Sequence, residues 1–419
     1  MNVGLVTADN GEGGAARAVR RLATGLTQRV AKVDSIDLVC RGRVESGYHL
    51  VQPKYKLQNQ QNRPDKLLYE TLEIKAQGWW QKYIKPADSY DFFPEGYTLD
   101  IKKTLENYDV LNLFWYQTLG RIKQIKKLDK PTIITLHDMW FLTGGCAYSY
   151  SCQGDQTGCK ICDYVAKRGH RKIEKQYKDK IGLMKDENCR IVVTSEWMKK
   201  KAIETGIEEH KISKIANHIP NNFCYMNNKE KCMKVLGWEI DKKDRIYYFV
   251  GNTADKRKGF EQIMDAIADI RESERKHIKL QILGNLSIEY RLKMKELRIE
   301  WKELGSYKDE LSQIIAYNAS DCLICPSLFD NSPNVIAEAQ CCGVPTIAKE
   351  KTGAAEMIND GMDGLVFKKH GISLKECMEE IQKGKFDNES NRISSESKQK
   401  YGFENTCGKY MKLYREVRQ

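Results

Sequence analysis

Two carboxylates set eight residues apart, Asp330 and Glu338, are the pair in this chain whose spacing most invites chemistry. Between them runs a loop of Asn and Ser that closes on Pro333 and passes into helical spacing over 335–342. A proline at or near the first turn marks a helix start, so Asp330 precedes the helix and Glu338 lies inside it. An apolar run at 321–325 reads as a buried strand in front of the loop. Strand, loop and helix N-terminus together make an anion site, because backbone N–H groups and the positive end of the helix dipole, here around Asn334 and Val335, point at what sits above the strand. A second cluster, Lys256, Arg257 and Lys258, follows an apolar run at 245–251. Point charges there would neutralise a diphosphate; a solvated basic turn is the plainer reading.

The elements that must position these groups alternate between short apolar runs and helical stretches. Strands are expected at 3–7, 36–40, 109–115, 131–136, 190–195, 245–251, 279–284 and 321–325, with helices at 15–26, 260–270, 335–342 and 403–417, and Ser195 as a helix N-cap. That alternation predicts parallel, doubly wound α/β sheets. In such sheets ligands bind beyond the carboxyl ends of the strands, which is where His137 falls. Glycines 11, 13 and 14 stand between the first strand and first helix. They read either as a phosphate-approaching turn or as a tight turn with no ligand. Gly284 ends a further strand. His218 reads as a surface residue, and the Ser-rich stretch 388–400 as a flexible link.

Cys146, Cys152, Cys159 and Cys162 form a C-x5-C-x6-C-x2-C loop with little apolar content. Four thiolates can close a structural zinc site; free thiols in a small core, or disulfides in an oxidising compartment, are the alternatives. Four thiolates leave no open position for a catalytic metal.

The 419 residues suffice for two or three domains, and 41% hydrophobic with 30% charged residues is ordinary for a globular protein. No apolar run approaches the ~18 residues of a membrane helix. The first residues lack a basic stretch and a cleavage site, so no signal peptide is expected, and the 14 cysteines read as reduced or metal-bound in a cytoplasm. A net charge of +12 admits nucleic acid, an anionic membrane or anionic small molecules. Residues 51–98, with Trp79, Trp80 and Phe92, read either as an insertion packed on its own domain or as an acceptor or lipid-facing surface.

The Asp330–Glu338 stretch resembles the E-x7-E signature of retaining glycosyltransferases of family 4, whose fold is called GT-B. Gly343-Val-Pro-Thr-Ile347, Thr352-Gly-Ala-Ala-Glu356 and Asn359-Asp-Gly-Met-Asp-Gly-Leu-Val-Phe367 share the likeness. The resemblance implies two Rossmann-like domains facing a cleft, with a C-terminal helix crossing back to the first: an acceptor domain over 1–220 with a cysteine loop at 143–163, a nucleotide-sugar domain over 221–398, and a returning helix over 399–419. It implies that His137 and Asp330 contact the transferred sugar. Gly13, Gly14, Asn252, Arg257, Lys258, Gly284, Asn334, Val335 and Glu338 would bind the donor, a UDP- or GDP-sugar. The family places Arg-x5-Lys-Gly where this chain has Asn252 and Lys258-Gly259, so Arg257 is expected to supply the missing charge. His137-Asp-Met-Trp140 followed by Thr143-Gly-Gly-Cys146 resembles a cysteine-cluster subgroup found in exopolysaccharide and colanic-acid-type synthesis. The implied acceptor is a glycan or a lipid-linked sugar at the inner face of the membrane, with no catalytic metal and no nucleic acid. The competing readings are a GT-B epimerase or phosphorylase, and a zinc-containing nucleic-acid binder.

Overall fold

The structure is a computed structural model and describes residues 1–8, 13–29, 35–39, 92, 102–116, 119–150, 152, 154–239, 241–307 and 309–418. Of the stretch 51–98 only Phe92 is among them; Trp79, Trp80 and Gly11 lie outside the described residues. The chain divides into two compact units, Met1–His218 with Thr406–Gln419, and Ile219–Asn405.

The first unit is built on strands β1 (Asn2–Val6), β2 (Ser35–Val39), β3 (Val110–Leu113), β4 (Thr132–Leu136), β5 (Cys189–Val193) and β6 (Ile212–Lys214). They pair in parallel in the order β2-β1-β3-β4-β5-β6. The strands are near-continuous apolar runs because helices cover both faces of such a sheet. The helix Gly14–Arg29 turns Ala18, Leu22 and Leu26 inward, all buried. Ser195 caps the helix Glu196–Glu204 by accepting the Met198 N–H at 3.0 Å.

The C-terminal helix Lys409–Arg418 docks on this first sheet through a buried polar network. Asn112 on β3 donates to the Tyr414 hydroxyl at 2.8 Å, Thr135 on β4 donates to Asn112 Oδ1 at 3.0 Å, and Tyr410 meets Thr135 at 3.2 Å. A polar residue inside a parallel strand is tolerated only when its groups are satisfied, and each bond here fixes the helix in register. His218, read from the sequence as a surface residue, is instead buried and joined through Nδ1 to the Thr406 hydroxyl at 3.0 Å. The chain segments on either side of the second unit are tied together at that point.

The second unit carries β7 (Arg245–Val250), β8 (Ile278–Leu283), β9 (Glu300–Gly305), β10 (Cys322–Cys325), β11 (Thr346–Lys349) and β12 (Gly364–Phe367) in the parallel order β12-β11-β10-β7-β8-β9. This is the doubly wound dinucleotide-type order, and it reverses direction between β7 and β10. The loops leaving those two strands therefore open at the switch point. They are the loops that carry Lys258 and Asp330.

The stretch 388–400, read as a flexible link, is a helix over Ser390–Tyr401. Ile393, Ser394, Ser397 and Tyr401 recur at helical spacing and are buried. Ser394 donates to the Cys341 carbonyl at 2.6 Å and Tyr401 to Gln340 Oε1 at 3.2 Å. Its serines are small residues that allow close packing on the helix Asn334–Cys341, which is why the stripe looked like linker composition.

Candidate active site

The two loops of the β7–β10 switch point touch. After β7, Asp255 accepts the Arg257 N–H at 3.0 Å and so caps the short turn Lys256–Lys258. Gly259 ends that turn with φ +70°, and a Cβ there would collide with the Pro326 carbonyl oxygen. Only glycine satisfies both demands, a left-handed backbone and a close approach. Gln262 donates to the same carbonyl at 2.6 Å, and Leu328 N–H to the Arg257 carbonyl at 2.8 Å.

That seam delivers the cations to Asp330. Lys258 Nζ stands 2.9 Å from Asp330 Oδ2 and Arg257 Nη1 3.6 Å from the same oxygen. Arg257 also donates to the Phe329 carbonyl at 3.3 Å. Asp330 is buried, and burial alone would raise its carboxyl. The charges of Lys258 and Arg257, with hydrogen bonds from Lys258 and Ser327, outweigh burial and hold the group below the usual carboxylate range. Asp330 is therefore an anion at neutral pH, and it aims both cations at one spot. Asn252 is not part of this cluster: it is exposed, and its Oδ1 accepts the Ala254 N–H at 3.1 Å within its own turn.

Past Pro333 (φ −64°) the helix Asn334–Cys341 begins, with no side chain capping it. Asn334 and Val335, the first two helical residues, are half-buried. Their N–H groups have no intrahelical acceptor by position, so the switch point receives helix-dipole charge besides the two cations. Glu338 lies one turn further, 1% exposed, and its Oε2 accepts from the Tyr317 hydroxyl at 2.6 Å. Gly284 (φ +128°) is demanded by packing, since a Cβ would collide with the Gly251 carbonyl at the end of β7.

In the first unit, His137 follows β4 with its ring 5.5 Å from Phe114. Burial pushes the imidazole down to about 4, although a hydrogen bond with Asn217 works the other way. It is neutral at pH 7, able to donate from one nitrogen and accept at the other. Gly13 and Gly14 open the first helix, both exposed, and a Cβ on Gly14 would meet nothing within 4 Å.

The cysteine loop packs beside the helix His170–Met184. Lys180 of that helix is fully buried, donates to the Trp140 and Thr143 carbonyls at 2.8 and 3.1 Å, and lies 3.5 Å from the centre of the Trp140 ring. Gly144 N–H points to Cys159 Sγ at 3.1 Å and Gly154 N–H to Cys152 Sγ at 3.3 Å. Burial pushes the Cys159 thiol up to about 12 and raises Cys146 and Cys162 as well, each raised further by its neighbouring cysteines. All four are free thiols. No group of three or more His, Cys, Asp or Glu among the described residues is arranged to hold a metal ion, so the geometry gives the expected zinc no support.

Residues 236–400 match the family Glycosyl transferases group 1. The chain is similar to an Escherichia coli (strain K12) protein named as a colanic acid biosynthesis glycosyl transferase, WcaC, at 20% identity over 339 residues, 74% of this chain and 76% of that one. It is similar also to the lipopolysaccharide 1,2-N-acetylglucosaminetransferase of Salmonella typhimurium (strain LT2), at 23% over 243 residues, 54% of this chain and 61% of the other. Among solved structures, HepE of Anabaena in complex with UDP matches with a TM-score of 0.65 and 14% identity, over 99% of this chain and 100% of that one. WaaG, a glycosyltransferase involved in lipopolysaccharide biosynthesis, matches at 0.57 and 15% over 99% of each. These likenesses give the two Rossmann-type sheets their class, GT-B. Arg257, Lys258, Asp330 and Glu338 all fall inside the segment that matches the family Glycosyl transferases group 1.

Proposed function

We propose that the enzyme moves a sugar, with retention of configuration, from a nucleotide diphosphate sugar to a glycan or lipid-linked acceptor in surface polysaccharide synthesis. The observation that carries this reading is the convergence of Lys258 and Arg257 on Asp330 beside the start of the helix that holds Glu338. Donor chemistry needs those components: cations and helix N–H groups for the diphosphate, and a carboxylate for the ribose hydroxyls. As the glycosidic bond breaks, negative charge grows on the leaving phosphate, and Lys258 and Arg257 would stabilise it there. The leaving phosphate oxygen then assists the acceptor on the face it departs from, which yields retention. Asp330 would hold a hydroxyl of the transferred sugar, and His137, neutral in the first unit, would do the same or polarise the developing charge. The first unit would take the acceptor and the second the nucleotide, with Gly13 and Gly14 near the phosphates and Gly284 near the base.

The names of the relatives favour colanic-acid- or lipopolysaccharide-type acceptors, and the HepE complexes favour a UDP-sugar over a GDP-sugar. No helix among the described residues is long and apolar enough to cross a membrane. The excess of Lys and Arg suits peripheral contact with anionic lipid at the cytoplasmic face. The test is proton NMR of UDP- and GDP-sugars incubated with the protein and simple glycoside acceptors, without added divalent metal. A product anomer matching the donor supports the reading; an inverted product or an absolute metal requirement contradicts it.

A structural zinc at Cys146, Cys152, Cys159 and Cys162, and with it membership of the cysteine-cluster subgroup, is a lesser proposal. It rests on the donor chemistry of four cysteines in one loop. Metal analysis of the purified protein decides it, with about one zinc per chain as the supporting result and none as the opposing one.

A further inference from the structure

We propose that Tyr317 is a positioning residue for the nucleotide, setting the Glu338 carboxylate that clasps the ribose. The inference rests on the ribose reading of Glu338 given above. Tyr317 belongs to the helix Glu310–Asn318, ahead of β10, and lies outside every motif that marks the donor site. Its hydroxyl donates to Glu338 Oε2 at 2.6 Å, and both side chains are 1% exposed. The phenol is held well above its usual range, first by burial and then by the Glu338 charge, so it stays protonated and remains the donor.

The ring is held by packing. It packs edge-on against Tyr248 of β7, centroids 5.2 Å apart, and tilted against Phe223 at 6.4 Å. The donor is thus fixed by core packing, whereas Glu338 has three side-chain torsions to freeze. A short bond from a fixed hydroxyl to one carboxylate oxygen sets the plane of the group and the direction of its other oxygen. Each carboxylate oxygen can accept more than one hydrogen bond, so the bond from Tyr317 is compatible with a ribose contact. Binding then requires no reorganisation of Glu338, which is the benefit of a preorganised acceptor.

The test is isothermal titration of UDP and 2′-deoxy-UDP, and of GDP and 2′-deoxy-GDP, into the full-length protein, Tyr317→Phe, Glu338→Ala and the double variant. The quantity read is the preference for the ribonucleotide over its 2′-deoxy form, because a general loss of stability weakens both ligands alike. In the wild type the ribonucleotide is expected to bind about tenfold tighter, the worth of one charged hydrogen bond. Glu338→Ala should reduce that preference to near unity. Tyr317→Phe should reduce it about threefold or more, and the double variant should match Glu338→Ala. If Glu338→Ala abolishes the preference while Tyr317→Phe keeps it in full, or if the two losses add independently, the positioning role is overturned and the ribose reading stands. If Glu338→Ala leaves the preference intact, or no nucleotide binds the wild type, the ribose reading itself fails and the role of Tyr317 goes with it.

Discussion

Replacing Lys258 with methionine tests the seam that joins the two site loops. The substitution keeps the length of the stem and removes the charge. Removing one partner of a buried ion pair typically costs about 3–5 kcal/mol, because the other charge is left in a low dielectric. Two facts reduce that here. The Lys258 side chain is 25% exposed, and Arg257 remains 3.6 Å from the same Asp330 oxygen. An expected loss of about 1–2 kcal/mol follows, equivalent to a fall in the melting temperature of about 2–8 °C for a unit of this size. The pH dependence separates charge from packing. The Asp330 carboxyl is depressed in the folded state, so its contribution is present above the unfolded value of about 3.9 and is lost as pH falls through the lower folded value. The melting gap between wild type and Lys258→Met should therefore be widest near neutrality and narrow as pH falls from 5 toward 3. Scanning calorimetry across that range reads it directly. A gap that stays constant down to pH 3, or no gap at pH 7, would refute the ion-pair account.

Other substitutions address the remaining parts of the site. His137→Gln should lower kcat about a hundredfold through a lost sugar contact while leaving nucleotide affinity unchanged; an equal loss of nucleotide binding contradicts the assignment. Because the folded imidazole titrates near 4, below its free value of 6.5, folding stability should fall as pH drops from about 6.5 toward 4, and His137→Gln should remove that slope in calorimetry. Asn112→Ala leaves the Tyr414 and Thr135 hydroxyls short of a partner. It should cost about 1–3 kcal/mol in denaturant unfolding without changing nucleotide affinity; an unchanged midpoint would mean that the network does not hold the C-terminal helix.

Much of the second unit was legible because its signals are local. Apolar runs of strand length, Gly259 after a basic triplet and Pro333 before a helix each follow from backbone geometry within a few residues. They place Lys258, Asp330 and Glu338 at one switch point. What was not legible depends on contacts across the fold. Tyr317 reaches Glu338 across 21 positions of sequence, and no spacing rule signals that bond. His218 looked like a surface linker residue because its partner, Thr406, lies 188 residues away. The helix Ser390–Tyr401 was hidden by composition: serines that read as linker are small enough to let it pack against its neighbour. The glycine at 284 is demanded by packing against Gly251, a contact between neighbouring strands that no local spacing signals. The cysteine spacing suggested zinc, but spacing along a loop does not fix where four sulfurs point.

A donor site built from the Lys258–Asp330 seam and Glu338 should hold a nucleotide sugar without metal. Calorimetric titration of a panel of UDP- and GDP-sugars into the wild type and Glu338→Ala, in chelator and without metal, tests it most directly. Saturable binding of one nucleotide class to the wild type, weakened at least tenfold in Glu338→Ala, is the predicted result. Equal binding to both proteins, or binding only when divalent metal is restored, would contradict it.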